Sequence, residues 1–365
     1  MKKILYITHR IDGSGGVPKV YSIKTKYLVE KLGYNITVLT TNAQSSTLFF
    51  NFDSIKIVNK KIKGKLLFYF LNYLQIVKNQ IEIEKPDIIV ITDNGYKGLL
   101  LPYFIKNKKN KIVFEQHGYR FYEKATKKLS LFERIKIKVV NLLIDKSMSK
   151  VDKLVVLTDE SKSEWKTDNV VTIPNPLWLK PYLENKLENK RAIAAGRIVY
   201  EKGFDLLLKI WKKVIDKHPE WTLDIYGKKE SDIDLENLCK ELNLTKNVTI
   251  NDPVKNIEEK YKNASLFLMS SRHEGFGMVL LEAMACGVPC VAFDCPTGPR
   301  EIITNNRNGY IIPMFNLDEY SSKVNYLIEN KEVRFKMGQN AVECIDKFEL
   351  SKIMHKWNTL FLELN

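Results

Sequence analysis

Cysteine is scarce and one-sided. All five, Cys239, Cys286, Cys290, Cys295 and Cys344, lie beyond residue 238, and no CxxC pair occurs among them. That excludes a disulfide framework and fits a reducing cytoplasm. Three of them cluster in CGVPCVAFDC. A zinc site would want a fourth ligand and a tighter first pair, so small buried hydrophobes around a strand are the better expectation. No stretch approaches 18 uninterrupted apolar residues, and no membrane span is expected. The apolar run in MKKILYITHR is too short for a signal-peptide core and reads as a first strand. Neither a GxGxxG fingerprint nor a GK[ST] phosphate loop is present.

Acidic residues are short in the first half alone. The 365 residues carry 58 Lys and Arg against 43 Asp and Glu, a net +15. Residues 1–180 hold 32 basic and 16 acidic residues, or +16, and the remainder holds 26 and 27, or −1. Halves that differ this much meet different partners. With 44% hydrophobic and 28% charged residues the composition is that of a soluble globular protein, which excludes disorder, and the length suits two domains.

Two basic stretches point to a surface. Residues 61–78 set Leu66, Leu67, Phe68, Tyr69, Phe70, Leu71, Tyr73 and Leu74 between lysines; residues 127–148 mix aliphatics with Arg134, Lys136, Lys138 and Lys146. Each is expected as an amphipathic helix that lies in an anionic leaflet or packs its apolar side on a sheet. The charge imbalance favours membrane contact for the half as a whole.

Continuous apolar runs predict strands buried on both faces at 3–8, 35–40, 87–92, 111–116 and 153–158. Helices fit between, at 18–32 and 94–106. The polar ENKLENK after TIPNPL reads as an interdomain connection. Strands then resume at 191–196, 221–227, NVTI, 265–270 and 288–294, with helices at 202–217, 232–242, 276–286 and 299–304. Two βα series predict an α/β chain with two doubly wound parallel sheets and ligands outside the carboxyl ends of strands.

Three loops follow strands. THRIDGSGGVPKVY places Gly13, Gly15 and Gly16 before a helix near Pro18, where amides can close on an anion. AAGRIVYEKG places Arg197 after a strand and Lys202 at a helix start, two cations suited to a diphosphate. SRHEGFGMVLLEAMA places Glu274 before a helix and Glu282 within an apolar run, where an unpaired charge would be costly. The amides of the intervening GFG can face phosphate, and Glu282 can take vicinal ribose hydroxyls.

These motifs resemble those of a retaining glycosyltransferase. Glu274 to Glu282 is similar to the E-x7-E signature of glycosyltransferase family four, and GRIVYEKG to its diphosphate segment. EQHG resembles the family's histidine loop, and the early glycines its N-terminal phosphate loop. The motifs stand in family order from residue 13 to about 301. The resemblance implies the GT-B fold, two Rossmann-like doubly wound domains facing across a cleft. Residues 1–175 would bind acceptor, completed by a last helix over 350–365; residues 176–349 would bind the nucleotide sugar.

The resemblance also implies roles. Arg197 and Lys202 would hold the donor diphosphate, and Glu282 the ribose. Glu274, Gly275 and the amides of Phe276 and Gly277 would hold the sugar; His117 would approach the anomeric carbon, and Gly15 and Gly16 the phosphates. Thr297-Gly298 replaces the family's two glycines, which reads as altered sugar recognition in a variant resembling capsule and O-antigen transferases.

The expected reaction moves a hexosyl unit from a UDP-sugar to a glycan, carried on a polyprenyl diphosphate at the inner leaflet, with no cofactor and no metal. Asp232 and Asp234 form an Asp-x-Asp, but at a helix start, where acids suit the dipole. A soluble sugar-phosphate acceptor is the alternative. A nucleic-acid-binding protein would also explain the charge, but no reader module is present and no nucleic-acid partner is expected.

Overall fold

The computed structural model of the chain describes residues 2–41, 48–107, 109–118, 130–230 and 233–364. Asp232 and the opening of the 127–148 stretch fall outside these, as do the side chains of Leu66, Leu67 and Lys136. The chain divides into two units: Met1–Pro176 with Ser351–Asn365, and Leu177–Leu350.

The first unit carries strands β1 (Lys3–Thr8), β2 (Asn35–Thr40), β3 (Lys56–Asn59), β4 (Ile88–Ile91), β5 (Lys111–Glu115), β6 (Lys153–Val156) and β7 (Val170–Thr172), with helices α1 (Gly16–Glu30), α2 (Leu66–Glu84), α3 (Tyr96–Ile105) and α4 (Leu131–Met148). The sheet order is β3-β2-β1-β4-β5-β6-β7. Every pairing is parallel; Ile4 faces Ile88 and Ile7 faces Ile91 across β1 and β4. The apolar runs become central strands because helices cover both faces, and β4 is buried along its whole length. The flanking β3 and β7 are half-exposed and lack such runs, so sequence reading passed over them. A capping box opens α4: Ser130 Oγ accepts from Glu133 N, and Glu133 Oε2 accepts from Ser130 N.

The second unit carries β8 (Arg191–Ala195), β9 (Thr222–Tyr226), β10 (Val248–Asn251), β11 (Leu266–Met269), β12 (Cys290–Phe293) and β13 (Gly309–Ile312). Its helices are α5 (Phe204–Ile215), α6 (Leu235–Glu241), α7 (Ile257–Lys262), α8 (Met278–Ala285), α9 (Pro299–Ile302), α10 (Leu317–Glu329) and α11 (Lys331–Cys344). The order β10-β9-β8-β11-β12-β13 is again doubly wound, with its switch point between β8 and β11. β13, α10 and α11 were not read from sequence.

Two expectations meet definite outcomes. ENKLENK is no interdomain connection: it lies within the second unit, Leu187 is buried and accepts through its carbonyl from Arg334, and the Asn185 amide donates to the Cys286 carbonyl. Its polar residues hide one apolar anchor, which composition alone could not weigh. The clustered cysteines are buried small residues, with Cys290 on β12; burial pushes the Cys286 thiol up to about 12.

The last helix, α12 (Leu350–Glu363), carries the chain back into the first unit. Ile353, Met354, Trp357 and Phe361 are buried there. Phe361 meets Tyr34 edge-on with ring centroids 5.8 Å apart, and the Tyr34 hydroxyl donates to Asn358 at 2.7 Å.

Candidate active site

The loops after β8 and β11 leave adjacent strands at the switch point of the second sheet. The β8 loop folds back at Gly203, whose φ of +63° is left-handed and whose missing Cβ would stand 2.1 Å from the Ser270 carbonyl. That closeness seats Lys202 against the β11 loop: the Ser270 hydroxyl donates to the Lys202 carbonyl at 3.1 Å. Arg272 adds a second tie. Its guanidinium donates twice to Asp205, at 2.8 and 2.7 Å, and once to the Tyr200 carbonyl at 2.7 Å, while it stacks 4.1 Å from the Tyr200 ring centroid. Burial would raise the Asp205 carboxyl, but Arg272 outweighs it and holds the group below its ordinary value. Arg272 and Asp205 were missed in sequence; an arginine at the end of a buried strand was the available signal.

Lys202 Nζ donates to Glu274 Oε1 at 2.7 Å, and the Ser271 hydroxyl donates to the same oxygen at 2.6 Å. Glu274 is 8% exposed, so its charge is both paired and hydrogen-bonded. The structure therefore brings Lys202 and Glu274 together. Arg197 lies apart from that pair: its guanidinium donates to Glu230 at 3.3 Å and is largely exposed.

Beyond Glu274, Gly275 sits at a half-buried bend, Phe276 packs edge-on against Phe348 at 5.7 Å, and Gly277 caps α8 with no side chain bonded to its first amides. Leu280 N turns back to the Gly277 carbonyl at 2.9 Å, and the helix start keeps its positive end. Glu282 is buried on α8 and accepts from the Tyr261 hydroxyl at 3.3 Å; burial, then the Glu282 charge, pushes that phenol well above its ordinary value. The Thr297-Gly298 departure has a physical account. Gly298 has φ +103°, and a Cβ there would lie 2.4 Å from the Phe276 carbonyl. Thr297 is tolerated because its hydroxyl donates to the Glu274 carbonyl at 3.0 Å.

In the first unit, Gly15 caps α1, again without a side-chain cap, and the helix begins at Gly16. His117 follows β5 and is buried, with Nε2 3.2 Å from Glu115 Oε1. Asp234 accepts from Asn237 N at 3.0 Å as the cap of α6, the helix-start role expected of it. Among the described residues no group of three His, Cys, Asp or Glu could hold a metal, and no helix is long and apolar enough to cross a membrane. The helices α2, α3 and α4 pack side by side and leave Phe68, Leu71, Tyr103, Ile135, Val139 and Leu142 exposed. Each also buries an inward side, through Tyr73 and Val77, Leu101, and Ile144 and Met148 respectively.

Residues 180–343 match a family model described as glycosyl transferases group 1. An uncharacterized glycosyltransferase of Haemophilus influenzae is 28% identical over 367 residues, covering 98% of this chain and 99% of the relative. The amylovoran biosynthesis glycosyltransferase AmsD of Erwinia amylovora is 28% identical over 378 residues, covering 99% of both. Among solved structures, a variant of S. aureus TarM in complex with fondaparinux, alpha-GlcNAc-glycerol and UDP aligns over 99% of this chain and 100% of that one, with a TM-score of 0.81 and 16% identity. That likeness is one of fold.

Proposed function

Starting from residues 180–343 as a group 1 glycosyltransferase domain in a GT-B chain, we propose that this enzyme moves a hexosyl unit from a UDP-sugar to a glycan carried on a polyprenyl diphosphate, retaining the anomeric configuration and using no metal. The observation that carries the reading is the Lys202–Glu274 pair at the switch point, beside the uncapped start of α8. The chemical problem is negative charge on the departing diphosphate. Lys202 and the first amides of α8 meet it as positive groups already in place, and Arg197, exposed and paired with Glu230, leaves that carboxylate to join them. A diphosphate that takes Lys202 releases Glu274 to accept from sugar hydroxyls, so donor binding and sugar recognition are coupled through one ion pair. Glu282 accepts from the ribose hydroxyls. Gly15 and Gly16 give the phosphates close backbone approach, and His117 faces the anomeric centre. Departure and attack on one face of the sugar give retention without a carboxylate nucleophile.

UDP as the nucleotude is supported by the UDP in the TarM complex, and a polysaccharide product by the printed role of the amylovoran relative. The acceptor reading rests on the +16 half and on the apolar face of α2–α4, which together suit an anionic lipid surface in a capsule or O-antigen pathway. The enzyme then works as a peripheral protein at the inner face of the membrane.

The test is a turnover and binding screen across UDP-, GDP- and ADP-sugars with Lys202→Ala and Arg197→Ala. Each variant should lower kcat by roughly a hundredfold, the scale of losing one oxyanion donor. Near-normal turnover in both would remove the assignment. Activity should survive excess chelator; loss rescued by manganese would defeat metal independence. Flotation with anionic liposomes at low salt should recover the protein, and turnover of a soluble sugar phosphate without flotation would favour the soluble-acceptor alternative.

A further inference from the structure

The carboxyl ends of β1, β2 and β4 carry a polar cluster that has no part in the chemistry above. These strands are neighbours in the sheet, and the winding reverses between β1 and β4, the switch point of the first unit. His9 follows β1, Thr41 follows β2, and Asp93 stands two residues past β4. Lys97 reaches all three from the first turn of α3. Its Nζ donates to Thr41 Oγ1 at 3.0 Å and to His9 Nδ1 at 3.2 Å, and it pairs with Asp93 Oδ2 at 3.2 Å. The centroid of the Tyr73 ring lies 4.8 Å from the same ammonium. Gly98 lets α3 start this close, since a Cβ there would stand 1.9 Å from the Asp93 carbonyl.

The cluster fixes a proton. An ammonium has donors and no lone pair, so His9 Nδ1 accepts from Lys97. Desolvation, then the Lys97 charge, holds the imidazole below its ordinary value, and the ring is neutral near pH 7. A neutral ring that accepts at Nδ1 carries its proton on Nε2. His9 is exposed, so that N–H is the donor the cluster offers to a ligand. An anion is a poor fit. The charges of Lys97 and Asp93 cancel, two donors of Lys97 are already taken, and the neighbouring Arg10 donates to Asp12 at 2.9 Å. An uncharged N–H beside a neutralised pair suits an oxygen of a neutral polyol. The same helix has a place for a lipid tail: Tyr96, one residue before Lys97, and Tyr103, two turns on, are both exposed.

We propose that His9 binds the acceptor sugar through its Nε2–H, and that Lys97 is the positioning residue that sets its tautomer. The inference rests on the reading of the first unit as the acceptor-binding half. His9 donates to a ring or hydroxyl oxygen of the sugar, while the apolar carrier follows α3 past Tyr96 to Tyr103. Asp93 serves by neutralising Lys97, since a lone ammonium so nearly enclosed would be costly. Its Oδ1 also accepts from Gly95 N at 3.0 Å, which holds the turn into α3.

The first measurement uses the unaltered full chain. Nitrogen NMR of 15N-histidine-labelled protein, with His9 assigned by its absence in His9→Gln, should show a proton on Nε2 and none on Nδ1. The Nε2 signal should move on titration with at least one of octyl glucoside, octyl galactoside and octyl N-acetylglucosaminide, each kept below its micelle concentration. The opposite tautomer, or no movement with any of the three, overturns the proposal. The second measurement follows transfer from the nucleotide sugar that the wild type turns over fastest to the glycoside that moved the signal. His9→Gln should raise KM for the glycoside roughly three- to tenfold, the scale of one hydrogen bond, with KM for the nucleotide sugar nearly unchanged. Lys97→Met/Asp93→Asn, which leaves neither charge stranded, should raise the same KM, abolish the single tautomer of His9 and add nothing to His9→Gln. A folded double variant that keeps both the tautomer and the KM defeats the role of Lys97. Wild-type KM for the glycoside in His9→Gln, or a change confined to the nucleotide sugar, defeats the inference and leaves the transferase reading standing. If the wild type turns over none of the UDP-, GDP- and ADP-sugars, that reading fails instead, and the titration still decides whether His9 meets a sugar.

Discussion

Single side chains around Glu274 decide how the β11 loop is held. Thr297→Val removes one buried donation to the Glu274 carbonyl and should lower stability by about 1 kcal/mol in urea unfolding. Gly298→Ala forces a Cβ toward the Phe276 carbonyl at φ +103°. It should be worse, at about 2–3 kcal/mol, with donor binding weakened as Phe276 shifts. Arg272→Lys keeps the charge but loses the fork on Asp205 and the stacking on Tyr200. A loss of about 2 kcal/mol is expected, with reduced turnover because the Lys202 loop is tied through it. The motif residues were legible because glycines and charged groups at strand ends are chemically conspicuous. Arg272 and Asp205 escaped notice because they serve the site through another residue.

At the scale of elements, the buried ion pair of Lys24 on α1 with Glu115 on β5, closed over by the Trp357 ring, gives the first unit an acid-sensitive joint. Burial raises the Glu115 carboxyl, but Lys24 and His117 together outweigh it and bring it down to about 2. Lys24 has one opposing charge, less than its own burial demands, and lies below its ordinary value. A carboxyl depressed in the folded state contributes stability that is present above about pH 4.3 and lost as pH falls toward 2. Roughly 3 kcal/mol is at stake in that window. Thermal unfolding followed from pH 6 to pH 3 should show a steeper decline in the wild type than in Lys24→Met/Glu115→Gln. Trp357→Ala opens a cavity over the same pair and should lower stability by about 3–5 kcal/mol. Central strands were readable because burial on both faces leaves an unbroken apolar run. The edge strands β3 and β7 gave no such run, and ENKLENK misled because one buried leucine outweighed six polar neighbours.

For the whole molecule, the excess positive charge and most of the exposed large apolar side chains among the described residues fall in the same half of the chain. If the α2–α4 face meets an anionic leaflet, raising salt from 0.1 to 1 M shortens screening from about 10 to 3 Å and should release most of the protein from liposomes. Phe68→Glu with Leu142→Glu should abolish flotation even at low salt, with unchanged circular dichroism, since both side chains are exposed. Two doubly wound sheets were legible because alternation restarts after residue 190, whereas charge counting alone named no partner.

The return of α12 to the first unit also sets an order of events during synthesis. Strands β1 to β7 leave the ribosome early, yet Trp357 and Phe361 must wait until residues 177–350 have been made. At about 5–20 residues per second the delay is on the order of ten seconds or more. Through that interval Lys24 lacks its aromatic cover and Tyr34 its ring partner. The nascent first unit thus lacks these contacts until α12 has been made, and arrested chains ending before residue 351 should be digested there by protease faster than released ones.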